Sequence, residues 1–165
     1  MRMRFGGYST PAEMEIVLAV GKTFDIDEAL SIYTAKIYVT DWVSMKYRYN
    51  NPDSCSHMIS PEQTRKLLSE YSKAVLVIGK KKESFKTAVL AMEQELCKKG
   101  YYKAFALING QCDFCSSAEP NPAIKRRPSL ELMGIDILAT VRKFKKNAEQ
   151  PKDGEMPPYA IILVE

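Results

Sequence analysis

One histidine, one tryptophan and four cysteines stand in a chain of 165 residues. With His57 alone, at most one Ser-His-Asp set is possible, and neither a P-loop nor a GxGxxG turn occurs, so no motif argues for catalysis. No apolar run reaches the length of about 18 residues that a membrane span requires. The N-terminal stretch MRMRFGGYSTPAE has basic residues with no apolar segment behind them, which excludes a recognisable secretory signal. Cys55, Cys97, Cys112 and Cys115 lack the spacing of a secreted disulfide framework. In a reducing cytosol they are free thiols or ligands, and a cytoplasmic protein with no membrane partner is expected.

The apolar and charged fractions, 45% and 27%, are those of an ordinary globular protein, and the length suits a single domain over residues 1–165. The net charge of +4 is concentrated in Lys80-Lys81-Lys82, Lys125-Arg126-Arg127 and the run from Arg142 to Lys146. Lysines near a helix end suit its dipole without any ligand. No RNA or DNA fold signature accompanies these runs, so nucleic acid is not the expected partner.

Thr10-Pro11-Ala12-Glu13 has the chemistry of a helix start, with Thr10 as cap, and Gly21 marks that helix's end. The stretch from Leu30 to Tyr49 is rich in Ile, Tyr, Val and Trp and predicts short strands near 29–33, 36–39 and 42–47. Ser60-Pro61-Glu62-Gln63 repeats the helix-start pattern, and a further helix runs from about Glu83 to a stop at Gly100. Three apolar runs, 74–78, 103–108 and 159–164, read as central strands. The expectation is an α/β (α+β) single-domain sandwich with a mixed sheet and helices packed against it.

The stretch 104–142 organises the rest. An apolar strand is broken at Asn109-Gly110, and Cys112-Asp113-Phe114-Cys115 follows at once. Two thiolates two residues apart can grip one metal ion, because a turn brings both sulfurs to one side. The segment closes on Arg126-Arg127-Pro128-Ser129, where Ser129 is expected to cap a helix carrying Leu130, Met133, Ile137, Val141 and Phe144 on its apolar face. Cys97, near a helix end, reads as a small apolar packing residue and is left out of any site.

Several segments together resemble a cysteine-rich family of predicted metal-binding proteins of unknown function from anaerobic bacteria and archaea. They are Asp41-Trp42-Val43 with Lys46, Cys55, SPEQTRKLLSEYSKAVLVIG, GYYKAFALINGQCDFC and RPSLELMGIDILATVRK. In that family a cysteine follows the lysine matching Lys46, and further cysteines lie between the CxxC and the Arg-Pro-Ser. Here Tyr47 stands at the first position and SSAEPNPAIKR holds no cysteine, so the chain looks like a cysteine-depleted member.

The candidate metal ligands are Cys55, Cys112 and Cys115, with His57. Three thiolates and an imidazole suit zinc, and three cysteines also suit an iron–sulfur cluster, which would imply a redox or protein partner. Arg126 and Arg127 are candidates for orienting an anionic ligand, with Asp136 placed to accept a hydrogen bond from one of them; the favoured reading of Arg127 is that it simply ties the loop down. The alternative is a metal-free module on the same scaffold that binds a small ligand or a protein.

Overall fold

The computed structural model describes residues 11–24, 26–50, 59–80, 82–110, 126–146, 148 and 156–165. In chain order the elements are α1 (Ala12–Gly21), β1 (Ile26–Tyr33), a 3-10 turn (Thr34–Lys36), α2 (Asp41–Asn50), α3 (Pro61–Leu68), β2 (Lys73–Gly79), α4 (Lys82–Lys98), β3 (Phe105–Ile108), α5 (Ile137–Phe144) and β4 (Tyr159–Leu163). None of these helices is long and apolar enough to cross a membrane.

The two most apolar strands lie inside the sheet. Its order is β1-β2-β4-β3, with β2 and β4 in the middle. Residues from Ala74 to Gly79 and from Tyr159 to Leu163 are all buried. Alternation along β2 divides them between two cores. Val75 and Val77 face α1 and α4, packing with Met14, Val17, Phe85, Val89 and Met92. Leu76 and Ile78 face the opposite side, with Leu107, Met133, Ile137, Val141 and Ile161. Helical and turn segments therefore cover both faces, and the architecture is an α+β sandwich.

All three ladders are antiparallel. Parallel pairing, which a mixed sheet would need, is confined among the described residues to the single bridge between Ile108 and Ser129. The reason is the placement of β4. β2 and β3 are joined through α4 and run in the same direction, but the last strand enters between them with the opposite sense. β3 consequently lies at the sheet edge rather than among the central strands.

Two further expectations are corrected. Residues 42–47 belong to the helix α2, not to a strand. Aromatic and β-branched content favours extended chain, but Val43, Ser44 and Tyr47 are the buried positions, and their spacing is helical. The helix expected from Ser129 makes only one turn. Ser129 Oγ accepts from Leu132 N at 3.0 Å, as a cap should, yet Gly134 takes a left-handed φ of 72° and ends the turn. The helix restarts as α5 with Asp136 as its cap, Oδ1 accepting from Ala139 N at 2.9 Å.

Other ends follow the sequence. Ser60 and Gln63 form a reciprocal capping box at α3, with hydrogen bonds of 2.9 and 3.2 Å. α4 closes at Gly100, where Tyr101 N donates to Leu96 O at 3.0 Å across the glycine's left-handed turn. Thr10, the expected cap of α1, lies outside the described residues; Pro11 occupies the N-cap position of that helix.

Two of the three described left-handed glycines, Gly100 and Gly134, differ in a way that can be measured. A Cβ at Gly134 would sit 2.9 Å from Thr40 O and 3.2 Å from Pro61 Cγ, whereas one at Gly100 meets nothing within 4 Å. Gly100→Ala should cost about 1 kcal/mol from backbone strain alone. Gly134→Ala should cost about 2–4 kcal/mol, since a steric clash with backbone is added. Urea midpoints of the two variants decide this, and equal losses would show that the packing at Gly134 yields freely.

Candidate functional site

Cys55, His57, Cys112 and Cys115 lie outside the described residues. The described ends of the segments that carry them are informative. α2 delivers the chain to Asn50, five positions before Cys55. β3 delivers it to Asn109 and Gly110, two positions before Cys112. Asn109 is fastened to the incoming β4: its Nδ2 donates to Pro157 O at 3.1 Å and its Oδ1 accepts from Tyr159 N at 2.9 Å. Gly110 N donates to the Glu131 carboxylate, 3.1 and 3.3 Å from the two oxygens.

Glu131 belongs to the single turn after Ser129, within an otherwise apolar run. The parallel bridge between Ile108 and Ser129 brings that turn back beside β3. Loss of solvent raises the pKa of the Glu131 carboxyl, and the backbone N–H groups of Glu131 itself and Gly110 pull it partly back. None of the described ion pairs includes it.

Glu131 also borders a cavity of about 210 Å³. Trp42, Lys46, Tyr47 and Asn50 of α2 form one wall; Ile135 to Leu138 and Met156 form the rest. The end of α2 and the turn that holds Gly110 therefore share one pocket. Tyr47, standing where the family resemblance places a cysteine, is buried and lines it. Sequence reasoning missed Glu131. The available signal was an acidic residue embedded between Leu130 and Leu132, where an ordinary buried turn would be apolar.

Of the two readings of Arg127, the geometry matches the one in which it ties its own segment down. Arg127 forms a two-point ion pair with Glu93 of α4: Nε donates to Oε2 at 2.8 Å and Nη2 to Oε1. Glu93 Oε2 also accepts from Ala106 N at 2.7 Å, and Arg127 Nη1 donates to Arg126 O at 2.8 Å. The guanidinium carbon lies 5.3 Å from the centroid of the Phe105 ring. Arg127 thus fastens the chain after residue 125 to α4 and β3. Asp136 caps α5 and accepts from Ala139, not from an arginine. Arg126 is half-buried.

Cys97 is exposed on α4, with its Sγ 3.9 Å from Ala104 O, so it is not the packing residue the sequence suggested. Among the described residues, no group of three or more His, Cys, Asp or Glu side chains is placed to hold a metal ion.

Glu93 is 3% exposed, and its removal would take away the two-point ion pair of the Arg127 guanidinium and the acceptor of the Ala106 N–H. Glu93→Ala should therefore cost about 3–5 kcal/mol. Cys97→Ala, at an exposed position, should stay within about 0.5 kcal/mol. Chemical denaturation of both variants tests the contrast, and a Glu93→Ala loss below that of an ordinary surface change would remove the anchoring role.

No curated protein and no solved structure matches the chain. A family model described as predicted metal-binding protein (DUF2284) matches residues 31–164, which include the described walls of the pocket, the Glu93–Arg127 pair and all four cysteines. That match spans most of the chain, and the protein belongs to this family of predicted metal-binding proteins.

Proposed function

We propose that the protein holds a metal centre through Cys55, Cys112 and Cys115, with His57 as a further ligand, in the cytoplasm. One observation supports the reading: the described ends of both cysteine segments lie at one cavity, which Glu131 borders. Gly110 donates to its carboxylate, and Asn50 lines the same cavity. Tyr47, at the position where the family resemblance places another cysteine, borders that cavity too, which supports the same location.

The donor set decides the class of metal. Soft thiolates with one imidazole suit zinc or an iron–sulfur cluster and not calcium or magnesium. A cluster would supply one-electron transfer, and with it a redox protein as partner. The chain's own residues would hold the ends of the ligand segments. Asn109 and Glu131 fix the chain before Cys112, and the Glu93–Arg127 pair fixes the chain after residue 125. An anionic ligand beside the centre would meet Arg126 in preference to Arg127, whose guanidinium is engaged by Glu93. The cavity bordered by Trp42 and Glu131 favours a second reading, a small-ligand module that functions without metal.

Anaerobic purification followed by metal and acid-labile sulfide analysis tests the first reading. Metal with sulfide identifies a cluster, and zinc without sulfide identifies a mononuclear site. Cys112→Ser and Cys55→Ser should each lower the metal content sharply, and Cys97→Ala should leave it unchanged. Metal content equal in the wild type and in the Cys55/Cys112/Cys115 triple-serine variant, with the wild-type thiols reduced, would sink the metal reading and leave the small-ligand module.

A further inference from the structure

The cavity between α2 and α5 combines three features that together specify a ligand. Its walls are mostly apolar: Trp42 on one side, with Ile135, Ile137, Leu138 and Met156 around it. Its charged groups are two carboxylates, Glu131 and Asp136, and the ammonium of Lys46, beside the polar side chains of Tyr47 and Asn50. Asp136 is committed to capping α5, since its Oδ1 accepts from Ala139 N. Glu131 receives only backbone donors, and no described ion pair includes it.

A half-buried carboxylate whose described partners are all backbone N–H groups is an electrostatic deficit, and the fold leaves it beside an apolar cavity. A molecule carrying a positive charge on a small apolar body corrects the deficit while covering the walls. Size narrows the choice. A dry cavity of about 150 Å³ holds a benzene ring, and typical drug-sized sites start at about 300 Å³. At about 210 Å³, this one suits a single ring or a branched aliphatic group with a short tail.

We propose that this cavity is a binding site for a small primary amine with an apolar or aromatic body, its ammonium paired with Glu131 and its body against Trp42. The site uses described residues only and does not depend on the metal reading. Trp42 is 56% exposed, so its ring forms the outer wall and is available to a ligand entering from solvent.

The chain carries its own reporter, because Trp42 is its one tryptophan. The test titrates the full-length protein, as purified, with 2-phenylethylamine, 2-phenylethanol and 3-phenylpropionate, following Trp42 emission and confirming by calorimetry. The amine should bind at least about tenfold more tightly than the alcohol, as a charge-assisted pair requires, and the carboxylate should bind least. Glu131→Gln keeps an acceptor for Gly110 N and should erase the preference for amine over alcohol. Trp42→Ala, at a solvent-facing position, should weaken the amine and the alcohol alike by calorimetry, with an unchanged circular dichroism spectrum.

Three results would overturn the proposal: the carboxylate binding as tightly as the amine, amine affinity unaltered in Glu131→Gln, or no binding of the amine at millimolar concentration. Should Glu131→Gln fail to fold, the ranking of the three probes on the wild type decides alone. Metal content measured on the same preparations separates this outcome from that of the metal reading, since the ranking of the three probes reads out Glu131 and the metal content reads out the cysteines.

Discussion

The last strand holds the molecule together. β4 runs between β2 and β3, so that Ala160 is opposite Val77 on one side and Ile108 on the other, and Leu163 is opposite Ala74 and Phe105. Its residues also alternate between the cores: Ile162 packs with Val75, Phe85 and Met92, and Ile161 with Leu76, Met133 and Ile137. Neither core closes without this strand. Because it lies far in sequence from both β2 and β3, the contacts that complete the sheet are of long sequence separation, a feature that slows folding relative to local helix pairing. The strand also reaches the candidate site. Asn109, just before the cysteine segment, is clamped to Pro157 and Tyr159, so the entry of that segment is fixed by the same strand that seals the cores.

What was legible in the sequence is what local physics decides. The runs AVLVI and YAIIL have no polar alternation, and both are interior strands. The Ser60–Gln63 box and the Gly100 stop act through hydrogen bonds a few residues long, and both occur as the residue types demand. α2 was not legible because its helical stripe contains Ser44, which carries no hydrophobic signal, while Trp42, Tyr47 and Tyr49 suggest extended chain. The break at Gly134 depends on the approach of Thr40 O, from a segment far away in sequence, and no local pattern announces it. The antiparallel entry of β4 is likewise a global property. Helices alternating with strands suggest parallel pairing, and only the vacant slot between β2 and β3 reverses it.

The candidate site was legible in its chemistry and not in its assembly. Cysteine spacing identifies a possible pair of ligands, since two thiolates three positions apart are a local matter. That the chain before Cys55 and the chain before Cys112 lead to one pocket follows from α2 packing beside the turn 129–134, which no spacing records. Arg127 illustrates the same limit. As a residue in a basic run it is equally suited to an anion or to an internal carboxylate, and the choice is made by Glu93, separated from it by 34 positions.

Glu93 and Glu131 hold opposite ends of the chain that carries the CxxC, and their different environments divide the labour. Glu93 accepts from Arg127 at two points and from Ala106 N, so its lone pairs are occupied and its charge is neutralised. Breaking such a buried pair is costly, which makes this end rigid and chemically quiet. Glu131 meets only peptide N–H groups, with its charge uncompensated and its pKa raised by loss of solvent. A carboxylate in that state gains most from an incoming cation, whether an ammonium or a metal ion. The fold therefore places its stability at the Arg127 end of the segment and its capacity to respond at the Gly110 end, two residues from Cys112, which is where the binding chemistry of this protein should be sought.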